Sequence, residues 1–205
     1  CGRGSARGPP RKGSGVNGRV ERALPLLALL LLATTALAFL REYRTDWRRW
    51  QARYPSARAA QGLLPPSPEE FRPGVHQVSL KSLGRTDRCT TCHLGIENPR
   101  LAGGPQPYTA HPGDYLEKHP AERFGCTACH GGDGAATEER DAHGRAPRSE
   151  NPLVPRELIE ANCGVCHTGR EVPGAPLLSR GRQLIDEYSC QACHDIPGFA
   201  AKKFL

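Results

Sequence analysis

No methionine occurs among the 205 residues, aromatic side chains make up 6%, and the only two tryptophans are Trp47 and Trp50. The missing methionine excludes a thioether side chain as a metal ligand anywhere in these residues. Hydrophobic residues reach 38%, thin for a core that must offset the entropy of ordering so much chain. The 23 glycines and 19 prolines argue for short helices and long loops with little or no sheet. Long hydrophobic runs are scarce as well: the 18 residues from Ala23 to Leu40 form the one uncharged apolar stretch of such length. A formal charge of +7 invites a nucleic-acid partner, but Arg3, Arg7, Arg11, Lys12, Arg19 and Arg22 against Glu21 place +5 of it in the first 22 positions. The rest is near neutral, so no nucleic acid is expected.

Cysteine is where this chain is rich. Eight of the nine cysteines fall in four copies of Cys-x-x-Cys-His: CTTCH (Cys89, Cys92, His93), CTACH (Cys126, Cys129, His130), CGVCH (Cys163, Cys166, His167) and CQACH (Cys190, Cys193, His194). Two thiols three residues apart can form thioether bonds to the vinyl groups of one haem, with the adjoining His as proximal iron ligand. Paired Cys-x-x-Cys elements also build zinc ribbons, but zinc does not require His directly after the second Cys, and here it follows four times. The motifs therefore point to four covalently attached haems c, with iron held by His93, His130, His167 and His194. Only Cys1 is left over, so no disulfide framework is available. Four porphyrins would supply the apolar surface that the side chains lack, giving a mainly α and coil, haem-packed multihaem cytochrome c.

The organisation along the chain follows composition. Residues 1–22 read as a basic disordered tail. Residues 23–40 are long enough, barely, for a transmembrane anchor; Ala36-Leu37-Ala38 has the form of a signal-peptide cleavage site, and the retained anchor is the favoured reading. In residues 41–62, Tyr43, Trp47, Trp50 and Tyr54 share a helical face beside Arg41, Arg44, Arg48, Arg49 and Arg53, the pattern of an amphipathic helix at the bilayer interface; packing of that face on the haem domain or a partner is the alternative. Pro55 should end this helix. A Pro-rich linker (63–82), a three-haem region (83–170) and a fourth-haem segment (171–205) complete the chain, with a second linker near Glu171 to Pro176. The first three motifs begin 37 residues apart, at 89, 126 and 163, without other internal similarity. Cys1 at the start and the eleven residues after His194 suggest a piece of a longer chain.

A haem iron needs a sixth ligand or an open position. With methionine absent, the histidines outside the motifs, His76, His111, His119 and His143, match the number of haems and make bis-His ligation the leading arrangement. His111 and His119 each precede Pro, which biases them to extended geometry on a loop. In DAHGR, Gly144 would let the backbone beside His143 approach a porphyrin. Arg88, Arg123 and Arg145 are candidate propionate partners.

From about His76 onward, the stretches GRTDRCTTCHLGIENP, HPGDYLEKHPAERFGCTACHGGDG, DAHG and GAPLLSRGRQLIDEYSCQACHDIPG resemble the membrane-anchored multihaem cytochrome c subunits found with bacterial quinol-oxidising cytochrome b complexes. The last is similar to the opening of a class I cytochrome c domain, a helix through Gly181, Leu184 and Tyr188 into CQACH, without the later helices or distal Met loop. The resemblance implies single-electron transfer rather than catalysis, with cytochrome b or other quinol-oxidising subunits, other cytochromes c and the lipid bilayer as partners. It also implies a single-pass location in the bacterial cytoplasmic membrane. Because c-type haem is attached outside that membrane, residues 41–205 would face the periplasm. The rival expectations are a multihaem reductase of a small nitrogen or sulfur oxyanion with one open iron, and a membrane-anchored haem sensor.

Overall fold

The computed structural model describes residues 18–199; the first 17 positions of the basic N-terminal segment and the last six residues lie outside that range. The described chain is mainly helix and coil with one small hairpin. It divides between Arg44 and Thr45 into two compact units.

The first unit is carried by helix α1 (Gly18–Tyr43). At 1.5 Å per residue its 26 residues extend about 39 Å, more than the hydrocarbon core of a bilayer. Its most apolar 18-residue window has a mean hydropathy of 2.4 with none of it buried. Leu26, Leu30, Leu31, Leu32, Leu37 and Phe39 all stand exposed. This helix is long and apolar enough to cross a membrane, and it starts within the segment read from sequence as a tail.

The second unit opens with helix α2 (Asp46–Ala60), which runs straight through Pro55 instead of ending there. The proline removes one backbone hydrogen bond, but packing holds the helix on both sides of it. Its buried face is Trp47, Gln51, Tyr54 and Arg58. The expected interfacial stripe is thus corrected: Trp47 and Tyr54 face protein, while Tyr43 belongs to α1 and is exposed. Gln51 shows why. Its Nε2 donates to the carbonyls of Gly74 (2.6 Å) and Thr91 (2.9 Å), and its Oε1 accepts from Gly74 N–H (2.9 Å). A buried amide satisfied so completely belongs inside a folded unit. Arg48 covers the Trp47 ring at 4.4 Å, and Arg49 and Arg53 stack on Trp50, so these guanidinium groups serve aromatic faces.

Tyr54, Leu101 and Tyr108 form the apolar core, with Trp50, Ala57, Leu63, Phe71 and Leu94 against it. The Tyr108 hydroxyl donates to Trp50 O (2.7 Å). The Pro-rich segment after α2 folds back onto this core: Phe71 meets Tyr54 edge-on at 5.6 Å, and buried Arg58 donates to Leu64 O (2.9 Å) and pairs with Glu70. The thin core expected from composition is observed, so single side chains weigh heavily. Tyr54→Ala should cost about 3–5 kcal/mol, read as a lowered denaturant midpoint with unchanged α1 insertion.

Strands β1 (Val78–Leu80) and β2 (Arg85–Asp87) pair antiparallel with Val78 opposite Asp87. Gly84, at φ 61°, closes the hairpin. Short helices follow: α3 (Tyr115–Lys118), α4 (Ala121–Phe124), α5 (Thr127–His130), α6 (Glu139–Ala142) and α7 (Glu160–Cys163). The amphipathic α8 (Pro176–Glu187) packs on α7, and Glu160 of α7 accepts the Leu177 N–H (2.7 Å) and Leu178 N–H (3.2 Å) at its start. The segment before α8 is anchored by buried Val172 and Ala175.

Candidate metal centres

All four Cys-x-x-Cys-His segments adopt one and the same turn. The second Cys N–H donates to the first Cys carbonyl at 3.2 to 3.3 Å, and the His N–H donates to that carbonyl at 3.0, 2.9, 2.9 and 3.0 Å. One helical turn brings residues i, i+3 and i+4 to the same side, so each segment presents two thiols and an imidazole together. None of the eight thiols is in a disulfide.

Three of the four motif imidazoles face a second imidazole from far along the chain. His93 and His143 have ring centroids 6.2 Å apart, His130 and His111 6.0 Å, and His167 and His119 5.9 Å. Metal–imidazole bonds of about 2.0–2.1 Å on opposite sides of one ion, with ring centres about 1 Å behind each nitrogen, give a separation of about 6 Å. The pairs are therefore spaced for one ion between two rings. At the first two motifs burial acts in the same sense: burial, then the facing His143 and the nearby His130, lowers the His93 pKa, and burial, then His111, lowers that of His130. For His143 burial, then Arg145, has the same effect. The neutral imidazole is the ligating form.

Local structure aims the second imidazoles. His119 caps α3, with its N–H donating to Tyr115 O (2.8 Å), and His143 caps α6, with its N–H donating to Glu139 O (3.1 Å). His111 is tied back to Ile96 O (2.8 Å). Nδ1 of His111 lies 2.8 Å from Pro112 O, and Nδ1 of His119 lies 3.2 Å from Tyr115 O. A carbonyl can only accept, so both rings carry their proton on Nδ1 and leave Nε2 free for a metal. His143 differs: its Nδ1 faces the Arg145 guanidinium at 2.9 Å, which can only donate.

His76 is placed elsewhere. Its Nε2 lies 2.9 Å from Arg72 O and its ring packs on Phe71 at 6.0 Å. Among the described residues, no second imidazole ring contacts His76 or His194. Gly144, at φ 65°, makes its close approach to the backbone of Asn151 and Pro152, where a Cβ would come within 2.4 Å. Of the arginines considered for propionates, Arg88 is held by Gln77 and Ala135 O, Arg145 by Glu139, and Arg123 lies over the Phe124 ring.

The centres adjoin in chain order. Cys89, Cys126 and Asp87 bring their ligand atoms within 4.8 Å of one another. The adjacent Cys126 sulfur and then burial push the Cys89 thiol far up, and burial followed by Asp46 pushes Cys92 up to about 11. Burial and then Cys163 raise Cys129, whose carbonyl accepts from Asn162 Nδ2 (2.7 Å) beside the third motif. Arg182 of α8 donates to His167 O and Gly169 O, joining the fourth segment to the third. A closed zinc site would gather four ligands. Among the described residues the one convergent group takes a single sulfur from each of two motifs, plus a carboxylate already occupied by backbone donors. Paired thiols, facing imidazoles and the carbonyls at Nδ1 of His111 and His119 fit haem c instead, whereas the guanidinium at Nδ1 of His143 does not set that tautomer. No family model, curated protein or solved structure matches this chain.

Proposed function

We propose that this chain is a membrane-anchored c-type cytochrome with four covalently attached haems, passing single electrons between a quinol-linked membrane complex and a redox partner on the periplasmic side. The observation that carries the reading is the approach of His143, His111 and His119 to the imidazoles of His93, His130 and His167 at 5.9 to 6.2 Å. Bound haem supplies an iron that changes charge by one electron, and two imidazole ligands favour low potential and leave no place for substrate. The chain's own contribution is to hold and orient. Cys89 to Cys92, Cys126 to Cys129 and Cys163 to Cys166 anchor consecutive groups side by side, the carbonyls of Pro112 and Tyr115 fix the tautomers of His111 and His119, and α2 braces the first motif through Gln51 and Thr91. The exposed apolar surface of α1 supports the anchor, and haem attachment outside the cytoplasmic membrane supports the periplasmic orientation.

His194 carries a second reading, since among the described residues it has no facing imidazole. A reductase of a small nitrogen or sulfur oxyanion would use that centre, and a spectral change on adding nitrite to the fourth haem would favour it. For the carrier, membranes washed with alkaline carbonate should keep the protein in the pellet, and mild detergent should release it together with a quinol-oxidising subunit. A soluble form beginning near Phe39, without membrane partners, would overturn the anchored assignment.

A further inference from the structure

Asp87, at the end of β2, is the one buried acidic side chain among the described residues, 2% exposed. It stands two residues before Cys89 and 39 before Cys126, yet it holds both. Its Oδ1 accepts the Cys89 N–H (3.1 Å), and its Oδ2 accepts the Cys126 N–H (2.8 Å), the Thr127 N–H (2.9 Å) and the Thr127 hydroxyl (3.0 Å). These three N–H groups and one hydroxyl, with the Cys89 thiol beside them, surround it with donors. A protonated carboxyl would have to place its own hydrogen among these donors, so the donor set favours the ionised form. Burial by itself would raise its pKa, but the N–H groups of Thr127, Cys89 and Cys126 bring it below the ordinary carboxylate range.

The surroundings preserve both the contact and the charge. Gly125, at φ 65°, approaches so closely that a Cβ there would lie 2.8 Å from Asp87 Oδ2, so the loop before the second motif is shaped around the carboxylate. No ion pair neutralises Asp87 among the described residues. Arg88 turns to Gln77 and Ala135 O, and exposed Arg85 reaches only Thr127 O at 3.4 Å.

We propose that Asp87 is a positioning residue that ties the first haem attachment to the second and sets a fixed negative charge between them, lowering the midpoint potentials of those two haems. The inference rests on the four-haem reading. Oxidised iron carries one more positive charge than reduced iron, so a nearby anion in a poorly solvated site stabilises the oxidised form. At the fourth motif Asp186 accepts from the Gln191 side chain and is paired with Arg170, so its charge is balanced where that of Asp87 is not.

The test is a potentiometric titration of the full chain in detergent, with intact mass to count haems. Asp87→Asn should keep four haems and move two of the four potentials upward, leaving the others in place. Combining it with His143→Ala or His111→Ala should remove one or the other shifted centre from the low-spin signal. Thr127→Val loses one hydrogen bond but keeps the charge, so it should lower stability without the upward shift. If Asp87→Asn does not accumulate, Asp87→Glu, which retains the charge one methylene further out, should give a smaller shift in the same two centres. A four-haem protein whose potentials ignore these changes, or respond equally to Thr127→Val, would overturn the role of Asp87 alone. A wild-type chain without haem would overturn the haem reading beneath it.

Discussion

Haem should stay with the polypeptide through boiling in denaturant and reductant, and the intact mass should exceed that of the peptide by four haems. Each attachment needs two thiols and draws on one turn of backbone, and that turn recurs four times with His-to-Cys hydrogen bonds of 2.9 to 3.0 Å. Replacing Cys163 and Cys166 together with Ala should reduce the haem number from four to three, because no other thiols sit within that turn. Peroxidase staining of denaturing gels and mass spectrometry both read the outcome. A product that carries zinc and no haem would sink the assignment entirely.

Replacing His111, His119 or His143 by Ala should each turn one low-spin haem high-spin, able to bind carbon monoxide when reduced, while all four haems remain covalently bound. The three facing imidazoles lie on separate segments from the motif thiols, so attachment and sixth ligation should be independent. His76→Ala should leave every spin state unchanged, since the His76 Nε2 is directed at Arg72 O. Among the three active positions, His111 and His119 have carbonyls at Nδ1, whereas His143 meets a guanidinium. Arg145→Ala should therefore perturb the first centre's spectrum and leave the second and third as they were. Loss of low-spin character in His76→Ala, or its persistence in all three other variants, would reverse the ligand assignment.

The motifs were legible in the sequence because their geometry is local. A single turn places residues i, i+3 and i+4 on one side whatever surrounds it, and the apolar run of α1 likewise depends on length and composition alone. The spare histidines could be counted from sequence but not matched. His111 precedes its partner His130, His119 precedes His167, and His143 follows His93, so no constant spacing links them; long-range folding makes each pairing. The aromatic pattern of α2 identified an amphipathic helix, but periodicity cannot say whether the partner of an apolar face is lipid or protein. Gln51 and the core around Tyr54 decide for protein. The same packing carries the helix past Pro55, overriding a local rule worth about 3 kcal/mol. Asp87 left no signal in the chain, since an aspartate two residues before a cysteine is unremarkable until the fold brings Cys126 and Thr127 to its other oxygen. The motif turn and the length of the apolar helix are set by neighbours in sequence, whereas imidazole pairing and the enclosure of a charge depend on groups that only tertiary folding brings into contact.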